Sequence, residues 1–277
     1  MKQVKIILCV VFAVLSIVFG YFYAQNEYYA DRKAPRFKNS IDTFSVSANA
    51  TEKELCAGLT AYDDVDGDLT DQIKVVSTSQ LIGVNSAQIT YIVFDSSSNV
   101  STYTRTVYYT DYERPHFKLT KPLVYDVNET ITLIADGRLS AYDVIDGDIS
   151  DKIRLSTLTL TNAIEGTYKI RVIVSNSVGD TAILPLTVTI CNRKATDPTI
   201  TLTDYLIYTD GGSVLDPMDY LQEITDPADG GSQPLTTDRL QINSDIDYTV
   251  AGTYEINYVY LSPSGATTTA TLTVVVE

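Results

Sequence analysis

The sequence predicts an all-β protein: three tandem β-sandwich domains behind one N-terminal transmembrane helix. Three observations carry this. The stretch Ala61–Val75, AYDDVDGDLTDQIKV, returns as Ala141–Leu155, AYDVIDGDISDKIRL, with eight of fifteen positions identical. After residue 30 the chain consists of short runs with apolar residues at every second position, separated by turn residues about every ten positions. Before that, residues 6–23 form one uncharged, largely apolar run.

That run, IILCVVFAVLSIVFGYFY, is just long enough at about 1.5 Å per residue to cross a hydrocarbon core. Lys2 and Lys5 precede it, and the first acidic residue after it is Glu27. The positive-inside bias therefore puts the N-terminus in the cytoplasm and everything past residue 25 outside, as a single-pass protein of the cell membrane. Tyr21, Tyr23, Tyr28 and Tyr29 fit an aromatic belt at the outer interface. A cleaved signal peptide fits less well, because the run exceeds a usual signal core and Phe22-Tyr23-Ala24 offers a bulky ring where cleavage wants a small residue. The expected order is a cytoplasmic tip (1–5), the anchor (6–24), a polar linker (25–34) and sandwiches at 35–113, 114–196 and 197–277.

The 80-residue period extends beyond the motif: Pro35-Arg36-Phe37-Lys38 recurs as Pro115-His116-Phe117-Lys118, and a third start, Pro198-Thr199-Ile200, lies 83 residues further on. Each unit also ends alike. Ile89–Val93, Gly166–Val172 and Gly252–Tyr258 alternate, pass through Ser/Asn-rich turns, and return as Thr104–Tyr108, Ile183–Ile190 and Ala270–Val276. Such pairs read as hairpins, and units of this size built from short strands read as small antiparallel sandwiches. After the Asp motif, Thr70 or Ser150 is placed to cap a short helical turn that carries Leu69 and Ile73 to the core.

The order Pro-x-apolar, Ala-Tyr-Asp-x-x-Asp-Gly-Asp-apolar-Ser/Thr, Gly-Thr-Tyr-x-Ile-x-Tyr and Asp/Asn-x-x-Gly-Asn resembles the bacterial immunoglobulin-like repeats of surface proteins. It is similar also to the module appended to some pesticidal crystal proteins. The resemblance covers residues 35–277 and implies seven-stranded immunoglobulin-like sandwiches with a non-enzymatic, extracellular role. The chain departs from the pattern twice. Ser98 stands where the turn usually has Gly, and in the third repeat Gly231 replaces the last Asp of the motif.

The composition is acidic, with 35 Asp/Glu against 20 Lys/Arg, which argues against nucleic acid and against lying on anionic lipid. From Pro198 onward there are twelve acidic residues and one basic residue, Arg239. If the sandwiches stack end to end, that last domain lies farthest from the membrane. It is the expected recognition end, with a cationic partner, although the charge also serves to keep an exposed tip soluble. Cys56 and Cys191 have no partner within their repeats and read as free thiols in apolar surroundings. Asn49, Asn99 and Asn128 open glycosylation triplets of a kind common by chance in Ser/Thr-rich chains.

No catalytic pattern is present. The single histidine, His116, has no partner motif, and neither thiol has a histidine near it in sequence. The carboxylates Asp63, Asp66 and Asp68, with Asp143, Asp146 and Asp148, admit two readings. One is calcium, which wants clustered hard oxygens. The other, preferred here, is structural: aspartates accept backbone N–H bonds in a tight turn and Gly67 supplies a positive φ. No other cofactor is expected. The 20 tyrosines, without tryptophan, fall mostly at strand positions, where they read as packing rather than as a sugar platform. The expected role is an anchored extracellular stalk for adhesion, spacing or surface recognition. The alternative is an accessory module of an envelope complex, binding a polysaccharide or a partner protein.

Overall fold

The computed structural model describes residues 2–29, 31–38, 42–127, 129–155 and 164–277; Asn128 of the third glycosylation triplet lies outside them. By their packing, Met1–Asp111 forms one compact unit and Tyr112–Glu277 a second. The first element is a helix, α1 (Lys2–Tyr29), which runs five residues into the expected linker. No Gly or Pro stands between Gly20 and Pro35, so nothing local stops it sooner. Its stretch Gln3–Gln25 is long and apolar enough to cross a membrane, and none of it is covered by the rest of the protein.

Among its described residues the first unit then holds seven strands: β1 (Arg36–Phe37), β2 (Thr43–Val46), β3 (Ala61–Asp63), β4 (Gly67–Asp68), β5 (Lys74–Thr78), β6 (Ser86–Phe94) and β7 (Val100–Tyr109). They form two sheets, β1-β3-β4 and β2-β7-β6-β5. All pairs are antiparallel except β2 with β7. That parallel pair joins an early strand to the last one and closes the sandwich as immunoglobulin-like folds do. Alternation along β6 puts Ala87, Ile89, Tyr91 and Val93 inside with no exposed surface, and Leu69 and Ile73 join them as the sequence predicts. The cap of that turn differs from expectation, because Thr70 N–H donates to Asp68 Oδ1 (2.9 Å) while Thr70 Oγ1 accepts from Ala61 N–H (3.2 Å). A four-residue helix, α2 (Glu52–Leu55), opens with a Thr51/Glu54 capping box and is too short to show a helical period.

The second unit repeats this plan twice. Strands β8 (His116–Leu119), β9 (Val124–Asp126), β10 (Leu139–Asp143), β11 (Gly147–Asp148), β12 (Arg154–Leu155), β13 (Gly166–Ser175) and β14 (Thr181–Cys191) form sheets β8-β10-β11 and β9-β14-β13-β12. Strands β15 (Thr199–Leu202), β16 (Leu206–Thr209), β17 (Leu221–Asp226), β18 (Gly231–Gln233), β19 (Leu240–Ser244), β20 (Gly252–Leu261) and β21 (Thr267–Val276) form β15-β17-β18 and β16-β21-β20-β19. Here too β9 runs parallel to β14 and β16 to β21. The architecture is thus tandem immunoglobulin-like β-sandwiches behind one N-terminal apolar helix.

The two sandwiches of the second unit share one continuous buried cluster, from Phe117 to Val276. Tyr208 sits at their junction: its hydroxyl accepts from Phe117 N–H (2.9 Å), and His116 lies edge-on to its ring. Burial pushes that hydroxyl's pKa up to about 12 despite the bond from Phe117. His116 Nε2 also meets Glu277 Oε1 at 3.2 Å, and Thr187 Oγ1 donates to Glu255 Oε1 at 2.5 Å.

Two guanidinium groups, one buried and one partly buried, replace apolar packing. Arg105, 2% exposed, donates to Tyr91 Oη (3.1 Å), Ala57 O (3.1 Å) and Leu55 O, and stacks on Phe44. It satisfies carbonyls at the C-terminal end of α2, where a helix leaves acceptors open. Arg138 does similar work in the next sandwich, meeting Pro122 O, Asp136 and Glu129 over the Tyr125 ring.

Among the described residues Ser98 alone holds a positive φ (68°) without being glycine; Gly179 (80°) and Gly265 (86°) occupy the equivalent turns. The left-handed conformation costs an L-residue about 1–2 kcal/mol, and glycine's greater unfolded entropy offsets roughly half of that. Ser98→Gly is therefore expected to stabilise the first unit by about 0.5 kcal/mol, read as a rise in its melting temperature of roughly 2–4 °C. A fall would show that the serine hydroxyl contributes more than the backbone costs.

Candidate functional site

The Asp-Gly-Asp loops sit at the end of the short sheet of the first two sandwiches, where β3 turns into β4 and β10 into β11. Asp63 is 2% exposed and Asp143 1%. Asp63 Oδ1 accepts from Val65 N–H (2.8 Å) and Asp66 N–H (3.0 Å). Asp143 Oδ1 does the same with Ile145 and Asp146, at 2.9 Å each. These bonds, from Asp66 first and then Val65, hold the Asp63 carboxyl below its ordinary range. Gly67 (φ 78°) and Gly147 (φ 73°) make the turn that brings the chain back. Asp68 and Asp148 are likewise held low by the hydroxyl and N–H of Thr70 and Ser150.

The middle aspartate reaches across to the other sheet. Asp66 accepts from Ser96 N–H (2.7 Å) and Ser96 Oγ (2.8 Å), on the hairpin turn between β6 and β7. Asp146 grips Ser177 on the turn between β13 and β14 through N–H (2.7 Å) and Oγ (2.5 Å), and pairs with Lys152 Nζ at 2.8 Å. Burial works to raise the Asp146 pKa, but the bonds from Lys152 and Ser177 leave it below the usual carboxylate range. The motif is thus a clasp between the two sheets at one end of the sandwich. The third repeat keeps only its root: Asp226, fully buried, accepts from Ala228 N–H (3.1 Å) and Tyr260 Oη (3.3 Å). Its Asp229 turns instead to Arg239, at 2.7 Å.

Of the six carboxylates singled out by sequence, only Asp63 belongs to a group close enough to share a cation, among the described residues. Its companions are Asp31 and Asp95, and one oxygen from each of the three lies within 4.8 Å of the others. Sequence reasoning missed both. Asp31 sits in what reads as a linker and carries no local signal. Asp95 does carry one: it opens a turn whose counterpart in the second repeat opens with Asn176, a change from acid to amide that aligning the repeats exposes.

In that second repeat the matching space is closed by neutral donors. Asn176 Nδ2 donates to Asp143 Oδ2 (3.0 Å) and to Tyr112 Oη (3.0 Å), and Tyr112 Oη donates to Asp180 Oδ2 (2.9 Å). Burial and the Asp180 carboxylate together push the Tyr112 hydroxyl well above its ordinary pKa. The thiols are free: Cys56 lies 3.8 Å from Ile73 O, and burial raises its pKa.

Fold and loops together define a class, tandem immunoglobulin-like sandwiches, each with a buried aspartate at the root of its loop. No protein-family profile matches the chain, and no curated protein is significantly similar to it. Among solved structures, the M60 catalytic domain with the CBM51-1 and CBM51-2 domains of Clostridium perfringens ZmpB superposes at 14% identity over 87% of this chain and 30% of that one, with a TM-score of 0.24. Protocadherin gammaB7 EC3-6 does so at 12% identity over 88% and 74%, TM-score 0.22. The human desmocollin-1 ectodomain gives 14% identity over 88% and 58%, TM-score 0.21. The chain spans under a third of the length of the Clostridium structure. At these values the function has to be read from the chain's own residues.

The clasp has an acid-sensitive half. Asp146 titrates lower when folded, so its contribution is present above the unfolded carboxylate pKa and is lost as pH falls through the folded one. Asp146→Ala is expected to destabilise the second unit by about 0.5–1.5 kcal/mol at neutral pH, the net loss of hydrogen bonds whose Ser177 donors water can then meet. The variant should also lose part of the wild type's steepening of instability below about pH 4, near the ordinary carboxylate pKa. Melting curves of both proteins between neutral and acid pH check this; identical pH profiles would remove Asp146 from the acid response.

Proposed function

We propose that the chain is a single-pass membrane protein whose sandwiches face outward as a non-enzymatic stalk for spacing, adhesion or surface recognition. One observation carries this reading. α1 exposes apolar side chains on every side, Phe12, Leu15, Ile17 and Phe19 among them, and no part of its apolar stretch is covered by the protein. A helix hydrophobic all round and unburied needs lipid around it. Lys2 and Lys5 stand on its N-terminal side, which favours the cytoplasm for that end.

The rest of the chain supports a structural or binding role. His116, the one histidine, is engaged by Glu277 and by the Tyr208 ring, and no hydroxyl or thiol is hydrogen-bonded to it among the described residues. Protein recognition is favoured over sugar because the tyrosines go largely to packing. Tyr91, Tyr109, Tyr125, Tyr205, Tyr258 and Tyr260 are buried; of the exposed sandwich rings Tyr62, Tyr108 and Tyr142, the first is covered by Lys38 Nζ at 3.8 Å. The acidic third sandwich, with Arg239 as its one basic residue, is the end we assign to recognition of a cationic partner.

Protease added to intact cells is expected to digest the sandwiches while the chain fractionates with membranes. Protection of residues 31–277 in intact cells overturns the orientation. Recovery of a mature chain starting beyond residue 24 overturns the anchor.

A further inference from the structure

We propose that Asp31, Asp63 and Asp95 form a calcium site that staples the segment leaving α1 to the first sandwich. The three residues converge from separate places: Asp31 precedes β1, Asp63 ends β3 and Asp95 follows β6. One carboxylate oxygen from each falls within 4.8 Å of the other two. Asp63 is 2% and Asp95 7% exposed, so water screens little of their mutual repulsion.

Among the described residues, few donors hold the three anions together. Asp31 Oδ1 takes the Lys33 N–H at 3.0 Å, but its Oδ2 is sealed from solvent and accepts no hydrogen bond. Asp63 spends Oδ1 on Val65 and Asp66. Among the described residues the Asp95 carboxylate accepts only from Asn99, through N–H (2.8 Å) and Nδ2 (2.7 Å). No Lys or Arg pairs with any of the three among the described residues; Lys33 and Arg36 turn to Asp64 instead. A buried anion with an open lone pair is costly unless a proton or a cation fills the gap.

The repeat supplies an internal control. In the second sandwich the same root aspartate, Asp143, meets Asn176 where Asp63 meets Asp95, and Asn176 Nδ2 donates straight to the free Asp143 oxygen. In the third, Asp226 receives the Tyr260 hydroxyl, and Ser262 takes the place of Asp95. Only the first repeat substitutes an acid for the neutral donor and adds a further acid, Asp31, from outside the sandwich. An all-oxygen set of three carboxylates with no His or Cys selects hard cations, calcium or magnesium, over zinc or copper. The absence of a rigid octahedral cage favours calcium, with water completing its shell. Asn99 Nδ2 already bonds Asp31 O at 3.1 Å, so the ion adds to a junction that the backbone begins.

The test uses the full chain in detergent micelles, stripped with chelator and titrated with CaCl2, with MgCl2 and with NaCl at matched ionic strength. Calorimetry is expected to give one calcium per chain, bound more tightly than magnesium, with NaCl silent. Calcium should also slow tryptic cleavage at Arg32 and Lys33. Asp31→Asn, placed outside any strand or turn, and Asp95→Asn, which copies the amide of the second repeat, should each weaken binding at least tenfold and abolish the protection. Both variants should melt, without calcium, at or above the wild-type temperature, because each removes an unpaired charge. No calcium binding by the wild-type chain overturns the proposal. So does undiminished binding by both variants, which would move the ion to the Asp66 or Asp68 loop positions.

Discussion

A buried carboxylate at the end of the third strand is the constraint on which each sandwich depends. Asp63, Asp143 and Asp226 are each at most 2% exposed. An ionised group that deep persists only if donors converge on it. Backbone N–H groups two and three residues on do this in the first two repeats, and doing so bends the chain into the next strand. The turn places the next aspartate so that it can take hold of the hairpin turn of the opposite sheet. One charge thereby sets a turn, and the turn links two sheets at an end that core packing alone leaves open.

The same logic explains how the repeats diverge. Each must supply donors to the far oxygen of its root aspartate, and each does it differently. The second uses Asn176, the third uses Tyr260, and the first leaves the position to acids. Differences of one functional group, acid for amide or phenol, convert a closed polar network into an open anionic one without altering the fold. Two arginines show a comparable economy: Arg105 and Arg138 arise at different places in their repeats, yet both cover carbonyls and lie on aromatic rings. Such sites tolerate little change, because removing one partner strands the others.

The second and third sandwiches are coupled more closely than a string of independent beads requires. Their buried clusters merge, and Tyr208 of one accepts the Phe117 backbone N–H of the other. A ring filling the junction and a hydroxyl meeting a backbone donor remove both apolar and polar reasons for the two to separate.

Much of this was legible in the sequence because β-structure declares itself through period-two alternation and turn residues, and repetition at 80 residues doubles that signal. The long hairpins, the glycines of the Asp loops, the strained Ser98 turn and the apolar N-terminal helix all follow from local patterns that need no partner to be recognised. What only the tertiary structure decided are relations between residues far apart in the chain. Asp31 in a presumed linker meets Asp63 and Asp95, Arg105 meets Leu55 and Ala57, and Tyr208 meets Phe117. No local period encodes such meetings. Whether a carboxylate becomes a turn cap, a clasp or part of an anionic cluster depends on which donors packing brings to its second oxygen, and those donors come from other strands.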